Sequence, residues 1–95
     1  MHASTWHFAG DPDDLLVRYG AMVDEIPDEQ FVLHVCLRTD DGILIVDTCP
    51  SEATYRSFVA SDWFNDLLAR HGMGRPELRD YPVVRAYARG VRVDG

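Results

Sequence analysis

The side chains able to do chemistry in this chain are few, and they fall at definite places. His7 and His34 sit in segments whose apolar residues alternate, so each lies on a strand. An imidazole that faces a cavity from a strand can serve as general base near neutral pH. The plainer role is a surface histidine or a hydrogen-bonded one in the core. Asp47 directly follows Ile43, Leu44, Ile45 and Val46. A carboxylate at the end of so apolar a strand needs a cation or a proton beside it, and Arg38 or Arg85 can supply the cation. Asp47 then acts as a base or a substrate anchor, or it forms a structural ion pair that fixes the helix start or a subunit contact. His71 falls at a helix end, where the helix dipole accounts for it. His2 is expected to be disordered.

Cys36 and Cys49 could make a cross-strand contact or a reactive thiol, and a buried inert cysteine is the simpler reading of each. Neither has metal-type spacing, and the scattered histidines add no zinc signature, so no metal and no cofactor is expected. The chain contains no glycine-rich phosphate loop, nucleophile elbow or dinucleotide fingerprint. Large rings are many for a short chain: Tyr19, Tyr55, Trp63, Phe64, Tyr81 and Tyr87. They suit the lining of a pocket for a flat aromatic molecule, with tyrosine hydroxyls as polar handles, or ordinary core and dimer packing, which fits Phe64 better. Trp63, beside Phe64, cannot share its helix face and reaches a pocket or a partner subunit instead.

These residues must be positioned by a small set of elements. Ser4 to Ala9 alternates as a first strand, with Trp6 and Phe8 on one side and Thr5 and His7 on the other. Asp11-Pro12-Asp13-Asp14 starts a helix whose apolar face is Leu15, Leu16, Tyr19, Met22, Val23 and Ile26, and Pro27 stops it. Gln30 to Thr39 is the second strand, and Ile43 to Val46 is a third, apolar enough to be buried on both faces. Pro50 ends that strand and Ser51 caps the next helix, with Glu52 in its first turn. Ser61-Asp62 reads as a second cap in mid-helix, so one kinked helix or two short ones run on to Gly72. Glu77 to Ala88 supplies a fourth strand, at a sheet edge or bulged because of Pro82. Residues Arg89 to Gly95 are expected to fray.

The turn between the second and third strands leaves the placement of Asp47 open. A three-residue loop over Asp40-Asp41-Gly42 sets Asp47 opposite Val35. A two-residue turn at Asp41-Gly42 sets it opposite Cys36, on the His34 face. A slip of one residue moves the whole set to the other side of the sheet.

The order β-α-β-β-α-β is the ferredoxin-like α+β arrangement, an antiparallel sheet with two helices on one face. Ninety-five residues make one domain, 1–95. The uncovered sheet face is too apolar for water, so a homodimer is expected to cover it. Sixteen acids against nine bases, all of them arginine, give a net charge of −7. That balance argues against nucleic acid and anionic membranes as partners. No apolar run reaches the length of a membrane span. The N-terminal stretch has no basic region followed by a long apolar one, and two cysteines make no disulfide framework, so a cytoplasmic protein is expected.

The segment ILIVDTCPSEATYRSFVASDWFNDLLA resembles the antibiotic biosynthesis monooxygenase-like domains of the dimeric α+β barrel superfamily. The match lies in the apolar strand, Asp47, the Ser51-Glu52-Ala53 helix start, and Ala60-Ser61 followed by Phe64. It covers about a third of the chain, while length and element order match along nearly all of it. Cys49 stands where the family often has Trp, and Trp63 where many members have His. The resemblance implies a dimer whose two sheets form a barrel, with a pocket in each subunit between sheet and helices. It also implies activities that range from cofactor-free oxygenases of phenolic polyketides to cyclases and isomerases.

Two functional readings follow. One is an enzyme of specialised metabolism on an aromatic or polyketide-like molecule, as a cofactor-independent monooxygenase or, without oxygen, a cyclase or isomerase. In it His34, His7 and Asp47 are the catalytic candidates; Trp63, Tyr55 and Tyr87 line the substrate site; Arg38 or Arg85 steadies a substrate anion. The other is a non-catalytic dimeric module that binds a small molecule or a protein. The residues leave open whether the protein is an enzyme.

Overall fold

A computed structural model describes residues 1–28 and 31–94. Its elements are β1 (His2–Ala9), α1 (Pro12–Val23), β2 (His34–Thr39), β3 (Gly42–Cys49), α2 (Glu52–Ala60), α3 (Asp62–Arg70), β4 (Glu77–Pro82), β5 (Tyr87–Ala88) and β6 (Val91–Arg92). The first four strands form one antiparallel sheet in the order β2-β3-β1-β4. This is the expected ferredoxin-like α+β arrangement.

Alternation on β1 decides which face the helices cover. His2, Ser4, Trp6 and Phe8 are buried in turn along it. Ile43 and Ile45 on β3 pair with Phe8 and Trp6, so they share that face. Leu15 and Met22 of α1 and Phe64, Leu67 and Leu68 of α3 close over them to make the core. Full burial of each such side chain contributes about 1.5–3 kcal/mol. The opposite face carries Thr5, His7, Val35, Leu37 and Tyr81, the last three exposed at 41%, 44% and 57%.

The second helical segment is two helices in series. Ser61 causes the break: its extended backbone (ψ 145°) ends α2, and its hydroxyl oxygen accepts the Phe64 N–H at 3.1 Å to cap α3. Ser51 caps α2 in the same way through Thr54 N–H. Asp11 occupies the N-cap position of α1 but its side chain makes no capping bond. There the chain relies on Pro12 and on the Asp11 carbonyl, which accepts Leu15 N–H.

Five expectations are corrected. Strand β2 begins at His34, not at Gln30, which lies outside the described residues. Pro50 has no N–H to extend the ladder, and the Leu33 carbonyl takes the Thr48 hydroxyl at 3.3 Å instead. The turn into β3 is Asp40-Asp41, because Thr39 pairs with Gly42. Gly42 is already in the strand, pressed so close to β1 that a Cβ there would fall 1.8 Å from the Phe8 carbonyl oxygen. The fourth strand ends at Pro82 on the sheet edge. The tail, expected to fray, instead forms a hairpin of β5 and β6 around Arg89 and Gly90, both at positive φ. Asp94 closes that hairpin by accepting from Ala86 N–H and Arg92. Gly95 is outside the described residues. His2, finally, is buried in β1, paired to Cys49 on one side and Pro82 on the other.

Candidate functional site

A cavity of about 340 Å3 opens between the sheet and α2. Its floor is Ser4 and Trp6 of β1 with Asp47 and Cys49 of β3; Tyr55 and Phe58 of α2 form one wall; Phe31 and Val32 form the lip beside His34. The strands place these groups by parity. Odd-numbered Asp47 and Cys49 share the helix-covered face with Ile45, and Ser4 pairs with Asp47 across the β1–β3 ladder.

His34 stands directly opposite Asp47. Both registers considered from the sequence are therefore replaced by a third, and the pair is formed. Imidazole Nδ1 lies 3.1 Å from Asp47 Oδ1, with the two side chains only 12% and 21% exposed. Nε2 lies 2.7 Å from the Tyr19 hydroxyl on α1. A carboxylate only accepts, so Nδ1 carries a proton toward Asp47. In the neutral imidazole Nε2 then accepts from the Tyr19 phenol. Burial first, then Cys36 and the Asp47 carboxylate, push that phenol up to about 12, so it keeps its proton at neutral pH. The result is a hydrogen-bonded chain from Tyr19 through His34 to Asp47 at the cavity edge. Tyr19 and Phe31 also hold the ring by stacking, with centroids 6.0 and 4.6 Å away. Such an arrangement fixes the tautomer and angle of the imidazole and can move a proton along the chain.

Of the expected site residues, His34, Asp47 and Tyr55 meet at the cavity and the others do not. His7 projects from the opposite sheet face into a shallow groove with Thr5, Leu44, Glu77 and Arg79, and its Nε2 bonds Asp41 at 3.0 Å. Arg38 shares the His34 face but reaches outward to Asp13 at 2.7 Å. Arg85 is exposed between β4 and β5. Tyr87 is 53% exposed on the tail hairpin, and Trp63 is 45% exposed with its ring 6.0 Å from Phe58. Tyr19, named before as one of the large rings and on the apolar face of α1, is the missed partner of His34. Its spacing from Leu15 places it on the sheet-facing side of α1, which was the available signal.

Both thiols are held up by burial, so Cys36 and Cys49 stay protonated near neutral pH. Cys49 Sγ donates to the Ser51 carbonyl. Beyond the cavity wall, His2 Nε2 lies 2.6 Å from Asp80 Oδ2, and Arg56 donates to both Asp80 oxygens and to Glu52. Donor atoms of His2, Glu52 and Asp80 lie within 4.8 Å of one another, a spacing able to hold a metal ion. Arg56 already brings a positive charge to both carboxylates, and the cluster works as an ion-pair network that ties β1, α2 and β4 together. No helix among the described residues is long and apolar enough to cross a membrane.

No family model matches the chain, and no curated protein matches it.

Proposed function

We propose that this protein is a small-molecule enzyme of the antibiotic biosynthesis monooxygenase-like kind, acting in the cytoplasm as a homodimer on an aromatic or polyketide-like molecule. The observation that carries the reading is the His34–Asp47 pair at the edge of a mostly apolar cavity. A ring-bearing substrate lies against Trp6, Tyr55 and Phe58, and His34, oriented by Asp47, exchanges a proton with it. The element order and the Ser61 break, on which the resemblance rests, support the family assignment. Within that class the cavity favours proton transfer, as in a cyclase or isomerase. An oxygenase that forms a substrate anion needs a cation to steady it, and neither Arg38 nor Arg85 lines the cavity.

A second reading, a ligand-binding module without catalysis, is favoured by one observation: both nitrogens of His34 are engaged within the protein. Turnover of aromatic and polyketide-like ketones and phenols, followed with oxygen uptake, separates the readings. The enzyme reading expects conversion without oxygen uptake that falls about 100-fold or more in His34→Gln with the fold intact. Oxygen uptake would restore the monooxygenase. Ligand binding without conversion, unchanged by His34→Gln, would establish the binding module.

A further inference from the structure

Among the described residues, the cavity combines four aromatic rings, those of Trp6, Phe31, Tyr55 and Phe58, with a single carboxylate, and no arginine lines it. We propose that its ligand is an organic cation, an ammonium group carried on a ring-bearing or branched apolar body. This rests on the reading that the cavity takes a small molecule, and it names the class of that molecule.

Charge makes the first argument. Asp47 gives one oxygen to His34 Nδ1. Among the described residues no arginine reaches its other oxygen: Arg38 is tied to Asp13, and Arg56 to Asp80 and Glu52. A neutral apolar ligand would strip water from that oxygen and return nothing. An anion would also face the carboxylate across a low-dielectric space, in a chain whose net charge is already −7. A cation satisfies Asp47 and is drawn toward the site by the same surplus.

Hydrogen-bond polarity makes the second. The Thr48 hydroxyl donates to the Leu33 carbonyl, the Cys49 thiol to the Ser51 carbonyl, and the Trp6 indole N–H to Ser4 Oγ. Those three lining donors are engaged inside the protein, and the Ser4 and Tyr55 hydroxyls can donate or accept, while Asp47 offers acceptors alone. Such a lining suits a ligand that donates or carries positive charge. The rings complete the match, since the negative face of an aromatic ring attracts an ammonium group when both are desolvated.

Three probes with one aromatic body and different charge test this: phenethylammonium, 2-phenylethanol and 3-phenylpropanoate, titrated into the full chain while backbone amide signals are followed by NMR. The expected result is saturable shifts at the cavity residues, with the cation binding about tenfold tighter than the alcohol and the anion weakest. Asp47→Asn should abolish the preference for the cation, read as the ratio of phenethylammonium to 2-phenylethanol affinity within the variant. Phe58→Leu, which keeps an apolar side chain but removes the ring, should weaken the cation severalfold more than the alcohol. Equal binding of the alcohol, tighter binding of the anion, or an unchanged preference in both variants would overturn the cation assignment and leave the small-molecule site standing. Absence of cavity shifts with all three probes would overturn the site and the assignment together.

Discussion

His34 Nδ1 and Asp47 Oδ1 lie 3.1 Å apart because the two residues face each other across the β2–β3 ladder. Strand pairing brings the imidazole and the carboxylate together, and Tyr19 from α1 locks the ring from the other side. Removal of the imidazole strands two partly buried polar groups at once. His34→Ala should therefore cost about 1–3 kcal/mol in denaturant unfolding. A double-mutant cycle of His34→Ala with Asp47→Asn should return a coupling of about 0.5–3 kcal/mol. Additive effects would mean that the pair carries no interaction of its own.

Tyr19 makes the chain visible by titration. Its phenol is pushed up to about 12 by burial and nearby negative groups. The folded value exceeds the unfolded one, so the neutral phenol contributes stability that is complete below pH ~10 and lost as the pH rises toward ~12. Ultraviolet difference titration should show one tyrosine ionising last among the four, and Tyr19→Phe should remove that step. Tyr19→Phe should also loosen the His34 ring, seen as broadened imidazole resonances. A last step that survives the substitution would assign it to another tyrosine.

Much of this fold was legible in local pattern; of the candidate site, His34, Asp47 and Tyr55 were legible as residues but the pairing that joins His34 to Asp47 was not. Alternation through Trp6 and Phe8 marked β1, and Ser61 marked the break between α2 and α3, since each signal acts on its nearest neighbours. The β2–β3 register did not yield, because Asp40, Asp41 and Gly42 are all good turn residues. The choice among them is made by β1: Gly42 is required beneath the Phe8 carbonyl, which leaves Asp40-Asp41 for the turn and sets Asp47 against His34. Arg38 was drawn away from the cavity by Asp13 on α1, and Tyr87 by the tail hairpin that Asp94 closes. Those are contacts between segments distant in sequence, or, for Asp94, a turn whose closing residue gives no periodic signal.

The His2–Asp80 contact predicts a response to acid. Asp80 is held below the usual carboxylate range, first by the hydrogen bond from His2 and then by Arg56. A depressed carboxyl stabilises the fold above its unfolded value, near pH ~4, and that contribution is lost as the pH falls through the folded value. Asp94, lowered to about 2 by Arg92 and the Ala86 N–H, acts in the same window. Chemical unfolding of the wild type at about pH 5 and about pH 3 should therefore show a larger loss than Asp80→Asn shows over the same interval. Equal losses would mean that the Asp80 carboxylate, with its His2 and Arg56 partners, adds nothing to folding over that interval.

Two glycines should respond to alanine in opposite directions. At Gly42 a Cβ would meet the Phe8 carbonyl oxygen at 1.8 Å, and neither strand can move without disturbing the Ala9–Gly42 pairing. Gly42→Ala should cost about 2–4 kcal/mol. At Gly20, inside α1, nothing lies within 4 Å of the added carbon. Gly20→Ala should stabilise by about 0.5–1 kcal/mol, through helix propensity and a less flexible unfolded chain. Thermal unfolding of both variants checks the pair, and a stable Gly42→Ala would place the β1–β3 approach in doubt.

The open sheet face tests the proposed homodimer. Val35, Leu37 and Tyr81 are each more than 40% exposed there, on the two edge strands of the sheet. A second copy packed on this face would bury all three. Aspartates at 35 and 37 would then lie unpaired in an apolar contact, at a cost of several kcal/mol, so Val35→Asp with Leu37→Asp should raise the dimer Kd about 100-fold or more. Both side chains point to solvent in the single chain, so the variant should keep the wild-type circular dichroism. Sedimentation velocity over a range of concentrations separates the outcomes: a wild-type dimer that becomes a folded monomer in the variant supports the face as the interface. A wild type that sediments as a monomer throughout removes the dimer, and a dimer untouched by the two charges places its interface elsewhere.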